Sequence, residues 1–123
     1  MTINSKQKGK KGELEFANWL KKLFKLDARR GQQFKGGEDS PDVVCEELPE
    51  IHIEIKRCEK LRLYDAIEQA TRDSGDGHLP IVFHRKSRKP WLAILDASSC
   101  IELILENKRL KGKVIDNPTG NLI

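Results

Sequence analysis

The sequence predicts an α/β fold in which a mixed central sheet of about four strands is flanked by helices. Residues 51–56 alternate strictly between isoleucine and polar side chains, which is the period of a half-buried strand. Residues 10–25 instead repeat their apolar side chains every three to four positions, which indicates an amphipathic helix. Helix-like and strand-like segments alternate along the rest of the chain, and that order favours α/β over all-α or all-β architecture.

The elements follow one another without an internal repeat or a linker, so we expect one domain over residues 10–110. The predicted order is a flexible basic arm over 1–9, a helix to about 25, a loop over 29–40, strands over 42–47 and 51–57, a helix over 63–74, strands over 80–85 and 91–96, a helix over 98–109, and an irregular tail over 111–123.

The later helices are placed by their apolar faces and by their termini. In the second helix one face carries Leu63, Ala66, Ile67 and Ala70. Gly75 and Gly77 follow it and predict its end. Ser98 or Ser99 is expected to begin the third helix, because a serine side chain can accept a hydrogen bond from a free amide of the first turn.

The composition bounds the class of protein. A chain of 123 residues with 37% hydrophobic content can bury a modest core. It has no long apolar run, and its lysine-rich start lacks the apolar stretch of a signal peptide, so we expect a cytoplasmic protein without a membrane partner. Cys45, Cys58 and Cys100 have no metal-ligand spacing and are expected to be buried or free thiols.

The charges are segregated along the chain. Residues 1–35 carry a net charge of +7, residues 36–80 carry −7, and residues 81–123 carry +4. Basic flanks around an acidic centre are expected where phosphates must be attracted towards carboxylates that would otherwise repel them. The basic candidates for contacts with nucleic acid are Lys8, Lys10, Lys11, Arg29, Arg30, Arg85, Lys86, Arg88 and Lys89.

A pair of carboxylates and an amine are the candidates for chemistry. Asp42 begins the strand-like run after a turn-rich loop, and Glu54 and Lys56 share one face of the next strand, about 6.6 Å apart. Carboxylate oxygens suit Mg²⁺, and a neighbouring ammonium can stabilise phosphoryl charge or help to deprotonate water. The alternative is that Glu54 and Lys56 form an ordinary solvated pair.

A third carboxylate comes from the first helix. On a helical wheel Glu13 falls within the apolar arc that also contains Phe16, Ala17, Leu20, Leu23 and Phe24. Glu15 falls on the solvent side. A glutamate on a buried stripe needs a partner, so Glu13 is expected to point into the metal site. It can instead simply favour the helix start through the helix dipole.

Three segments together resemble the PD-(D/E)xK nuclease superfamily: Lys11-Gly12-Glu13-Leu14-Glu15-Phe16-Ala17, Ser40-Pro41-Asp42-Val43-Val44 and Ile53-Glu54-Ile55-Lys56. Within it the chain looks like archaeal Holliday junction resolvases and small phage or prophage endonucleases, over about residues 8–95. The resemblance implies a restriction-endonuclease-like fold. It also implies a catalytic set of Glu13, Asp42, Glu54 and Lys56 around Mg²⁺, held by Glu13, Asp42 and Glu54, with Mn²⁺ able to substitute.

The function that we expect from this resemblance is Mg²⁺-dependent cleavage of duplex or branched DNA by a possible homodimer, in a bacterial cell or a phage-infected host. Relatives often carry a glutamine on the second helix, so Gln69 is a candidate support residue, although a plain surface amide is the alternative. A DNA-binding or assembly module without activity is the rival reading. An RNA-binding protein would need stacking surfaces that the sequence does not indicate.

Overall fold

The computed structural model describes residues 5–31 and 41–115, with side chains described from residue 9 to residue 113 of those ranges. Its elements are α1 (Ser5–Phe24), β1 (Ala28–Arg30), β2 (Val43–Cys45), β3 (Ile51–Arg57), α2 (Leu63–Ser74), β4 (Leu79–Arg85), β5 (Leu92–Ile94) and α3 (Ala97–Ile115). Residues 32–40, which belong to the segment that was expected to be a loop, and the residues before 5 and after 115 lie outside the described residues.

The five strands form one mixed sheet in the order β1-β2-β3-β4-β5. Among the described strands only β3 and β4 run parallel, and α2 makes the crossover between them. The other neighbours are antiparallel. The α/β class with a mixed sheet is therefore confirmed, while the expectation of about four strands is one strand short.

The additional strand is β1, which lies in the segment that was expected to be a loop. It is three residues long, and only Ala28 in it is buried. Its backbone pairs with β2, with Arg29 opposite Val44. A three-residue strand with two arginines has no hydrophobic alternation that a sequence pattern could detect. It is identified as a strand through its pairing with β2. β2 is also shorter than predicted, because its pairing ends at Cys45.

One face of the sheet is covered by α1. Phe16, Ala17 and Leu20 are buried there together with Ile53 and Ile55 of β3. The ring of Phe16 lies 4.5 Å from that of Phe83 and 4.9 Å from that of Trp91, between centroids, which is the usual range for aromatic pairs. The predicted apolar arc is wrong at its far end. Leu23 and Phe24 lie in the last turn of α1 and are 59% and 55% exposed.

The opposite face is covered by α2. Ala66 and Ala70 of the helix pack on Val82 of β4. The bounds predicted for this helix are confirmed, although Leu63 at its start is 43% exposed. His52 and Glu54 point to this face and are buried, so the polar side of β3 faces protein instead of solvent.

The ends of α1 and α3 differ from the sequence expectation. α1 begins at Ser5, within the predicted flexible arm, and α3 continues to Ile115, within the predicted irregular tail. The cap of α3 is Asp96, whose Oδ2 accepts a hydrogen bond from the amide of Ser99 at 3.0 Å, so neither predicted serine is the cap. Within the described residues, no helix combines the length and apolar character needed to cross a bilayer.

Candidate metal and phosphate site

Asp42 is fixed at the point where β2 meets β3. Its amide donates to the carbonyl oxygen of Ile53 at 2.9 Å, and its Oδ2 accepts from the amide of Ile55 at 2.8 Å. These two bonds hold Asp42 against the β3 backbone on either side of Glu54. Both acids are buried, at 8% and 4% exposure. Asp42 thus lies beside the strand segment that carries Glu54.

A close backbone approach supports this position of Asp42. The amide of Gly31 donates to the carbonyl oxygen of Asp42 at 2.9 Å. A Cβ atom on residue 31 would lie 2.0 Å from the carbonyl oxygen of Pro41, which no side chain can tolerate. Glycine at position 31 thus lets β1 approach the start of β2 and hold Asp42 in the sheet.

Glu54 has a buried neighbour that the sequence reasoning missed. The Nε2 atom of His52 lies 3.3 Å from Oε1 of Glu54, and both side chains are almost fully buried. The sequence pattern that could have identified His52 is the alternation of β3, which places His52 on the same face as Glu54.

The side chains of Lys56 and Gln69 are hydrogen-bonded to each other. The Nζ atom of Lys56 donates to Oε1 of Gln69 at 3.0 Å across the gap between β3 and α2. Both side chains are partly buried. An ammonium has three N–H donors, and within the described residues this is its one hydrogen bond, which orients Lys56 and leaves two donors for a substrate oxygen.

The predicted helix carboxylate, Glu13, is engaged with an arginine. Its Oε1 accepts from Nε of Arg30 at 3.0 Å, and the Glu13 side chain is only 14% exposed. Its inward orientation on α1 thus agrees with the helical wheel, and the charge has a partner from β1. Among the described side chains, no group of three or more acidic, histidine or cysteine residues is arranged to share a metal ion.

Glu15, which the helical wheel placed on the solvent side, keeps 36% of its side chain exposed but is engaged in ion pairs with the sheet. Its Oε1 accepts from Nε of Arg57 at 3.1 Å and from an Nη of Arg85 at 3.0 Å. The two long arginine side chains extend from the ends of β3 and β4 and reach the helix from the sheet. A wheel for one helix contains no information about such side chains.

The chemistry of the donor set fits Mg²⁺. Mg²⁺ is commonly held by one or two carboxylates together with water and substrate phosphate, so the pair Asp42 and Glu54 is sufficient without a third acid. Lys56 and Gln69 then lie on the same side of β3 as Glu54. A small cavity lined by Pro41, His52, Ser74 and His78 adjoins the pair, but neither carboxylate lines it.

The basic candidates divide into residues that are engaged within the protein and residues that are exposed. Arg85 is held by Glu15 and by the carbonyl oxygen of Lys89, and Arg29 pairs with Glu46. Arg30 holds Glu13. The exposed ones are Lys10, Lys11, Lys86, Arg88 and Lys89. Lys8 lies within α1, but its side chain is outside the described part of the structure.

Residues 85–89, which we call the basic hairpin, connect β4 to β5 as expected. Their shape depends on Glu59, which the sequence did not single out. Its Oε2 accepts from the amide and from the hydroxyl of Ser87, at 3.0 and 2.8 Å. These bonds hold the pKa of Glu59 below its ordinary value, chiefly through the Ser87 amide. Arg88 adopts a left-handed backbone conformation, with φ of 66°, at the hairpin tip.

Comparisons with protein-family models, with curated proteins and with solved structures find no match to this chain.

Proposed function

We propose that the protein is a Mg²⁺-dependent DNA endonuclease that hydrolyses phosphodiester bonds. The observation that carries the proposal is the anchoring of Asp42 to the backbone of Ile53 and Ile55, the two residues that flank Glu54 on β3. Two carboxylates held close together offer the oxygen ligands that Mg²⁺ prefers, and a bound cation relieves their mutual repulsion. A site of this kind is more useful for binding a cation than for stabilising the fold.

Each residue has a distinct part in this proposal. Asp42 and Glu54 hold the metal ion, which when bound supplies Lewis-acid stabilisation of phosphoryl charge. Lys56, oriented by Gln69, directs an ammonium at the reacting phosphate, where it stabilises developing negative charge or assists removal of a proton from water. His52 fixes the orientation of Glu54. Glu13 is proposed to complete or orient the shell.

The substrate is proposed to be duplex or branched DNA. The basic segments flank the acidic centre in the sequence, and the basic hairpin leaves Lys86, Arg88 and Lys89 exposed for backbone phosphates. The resemblance to Holliday junction resolvases makes a four-way junction the first substrate to test. It also favours a homodimer, in which two sites cut two strands, and a cytoplasmic location.

The test is a panel of DNA substrates with defined metals. Linear duplex, single-stranded, flap and four-way-junction DNA are incubated with Mg²⁺, Mn²⁺, Ca²⁺ or EDTA, and products are resolved on denaturing gels. Cleavage is expected with Mg²⁺ or Mn²⁺ only. Asp42→Asn and Glu54→Gln should abolish it while binding persists, and Glu50→Gln, an exposed acid of the preceding turn, should behave like the wild type. Full activity in either site variant would remove the mechanism.

A DNA-binding or assembly module without activity is the second candidate. The exposed charges of the basic hairpin favour it, because they do not depend on the carboxylates. In the same panel, this function predicts junction or duplex binding in EDTA and no product with any metal. Binding that persists unchanged in Asp42→Asn, with no cleavage in the wild type, would select this candidate.

A further inference from the structure

The helix α3 leaves an unusual amount of apolar surface uncovered. Every residue from Ile101 to Lys111 is exposed, and none of them belongs to the two apolar clusters of the described core. The large apolar side chains concerned are Ile101, Leu103, Ile104, Leu105 and Leu110, at 46 to 58% exposure. A helix with so much apolar surface is normally covered by other protein.

The sequence of α3 also has the spacing of a helix-pairing surface. Cys100, Leu103, Asn107 and Leu110 follow one another at intervals of three, four and three residues, which places them on one stripe. We call this stripe the α3 seam. Ile101 and Ile104 lie away from it, and Leu105 lies on the opposite side of the helix, about 180° from the middle of the seam. Substitutions in the α3 seam and at Leu105 therefore test different faces of the helix.

The charges of α3 indicate how two copies would align. The first half carries Glu102 and Glu106, and the second half carries only cations, namely Lys108, Arg109, Lys111 and Lys113. Two parallel helices would place like charges side by side. Two antiparallel helices place the acidic half of each against the basic half of the other, so the helix is complementary to itself under a two-fold axis.

We infer that α3 is the interface between two copies of this chain, which pair through the α3 seam in antiparallel orientation. The 19 residues of the helix span about 28 Å, which is long enough for two full heptads of contact. Leu103 and Leu110 form the apolar centre. Asn107 lies between them, where a polar seam residue favours one register over its alternatives. This inference does not depend on the proposed nuclease activity.

The first experiment measures the mass of the full-length protein by sedimentation equilibrium up to about 100 µM. A dimer is expected for the wild type. Leu103→Asp combined with Leu110→Asp should raise the dissociation constant at least about 100-fold, because both side chains are central. Leu105→Asp is the matched control, equally apolar and exposed, and should leave the dimer intact. Circular dichroism checks that each variant keeps its helices.

The second experiment tests the orientation. Glu102→Lys with Glu106→Lys makes all of α3 basic and should weaken the dimer. Adding Lys108→Glu, Arg109→Glu, Lys111→Glu and Lys113→Glu reverses both halves and should restore it, since two antiparallel reversed helices are again complementary.

Three outcomes would overturn the inference. A monomer at the highest concentration would assign α3 to a different partner. A dimer disrupted by Leu105→Asp but not by the seam variant would place the contact on the other face. A dimer that the charge reversal does not restore would contradict the antiparallel arrangement.

Discussion

The two glutamates of α1, Glu13 and Glu15, make different contacts and are expected to have different roles. Glu13 is mostly buried against Arg30 of β1, whereas Glu15 joins Arg57 and Arg85 at the ends of two strands. A pair that links α1 to β3 and β4 contributes to the folded state whether or not a substrate is bound. The two glutamates are two positions apart, so their substitutions separate a role in chemistry from a role in stability.

Glu13→Gln is expected to be nearly inactive in the cleavage assay, because the proposed shell loses a carboxylate. Glu15→Gln should keep its activity but unfold more easily, by about 1 kcal/mol or less, since partly exposed ion pairs contribute about that much. Urea unfolding followed by tryptophan fluorescence measures the second effect. The reverse pattern, with an inactive Glu15→Gln and a normal Glu13→Gln, would show that the site assignment on α1 is wrong.

Among the elements, α3 begins at a carboxylate that holds its first turn. Asp96 accepts hydrogen bonds from the Ser98 and Ser99 hydroxyls and from the Ser99 amide, and these lower the pKa of Asp96 from 3.8 to about 2. A lowered pKa means that the capped helix binds a proton less readily than the open chain does. The stabilisation is therefore present above pH 4 and is lost as the pH falls towards 2.

Hydrogen exchange should detect this cap directly. Between pH 4 and pH 2 the amide of Ser99 in the wild type should lose protection, after correction for the intrinsic exchange rate. Asp96→Asn keeps a capping oxygen that does not titrate, so its protection should stay constant over the same range. Equal pH dependence in both proteins would show that another group controls the start of α3.

The contact of α1 with β3 requires a glycine in the helix. A Cβ atom on Gly12 would lie 2.6 Å from Cβ of Arg57, so the helix would have to move away from the sheet. Gly12→Ala should destabilise the protein by about 1 to 3 kcal/mol, as overpacking does. Gly9 in the same helix has nothing within 4 Å of such an atom, and Gly9→Ala should stabilise by up to about 1 kcal/mol. Denaturant unfolding measures the free energy of unfolding of both variants. It should fall for Gly12→Ala and rise for Gly9→Ala, and an equal change in both variants would contradict the contact.

At the scale of the whole molecule, the basic hairpin and the carboxylate pair lie on connected strands of one sheet. β4, which ends in the basic hairpin, runs parallel to β3, with Lys56 opposite His84. The sheet thus fixes the position of exposed cations relative to Lys56. We expect the cations to contribute to DNA affinity and Lys56 to contribute to rate.

Replacing Arg88 and Lys89 with alanine should weaken DNA binding. The slope of the logarithm of the binding constant against the logarithm of the salt concentration should become shallower by about one to two, because each phosphate contact contributes about 0.9 to it. Lys56→Ala should instead reduce the cleavage rate by about 100-fold or more with little change in affinity. Lys21→Ala with Lys22→Ala, two exposed lysines at the end of α1, is the matched control for charge removal. An unchanged slope in the hairpin variant would transfer DNA binding to Lys10 and Lys11 or to the arginines of β1.

Local periodicity determined several features of this protein. The alternation of residues 51–56 placed the isoleucines towards α1 and the polar residues on the other side, and α2 has the bounds that its pattern predicted. These features depend on neighbours a few residues away, which the sequence displays directly. The same alternation aligned Glu54 with Lys56, and the structure places both on the face that Gln69 approaches.

Contacts between distant segments were decided only by the tertiary structure. β1 exists because Ala28 pairs with Cys45, and Glu15 is held by arginines 42 and 70 positions away. The placement of Asp42 beside Glu54 likewise depends on its hydrogen bonds to Ile53 and Ile55 of β3. Such pairings are selected by the burial and hydrogen bonding of the whole sheet, and no local pattern of residues records them.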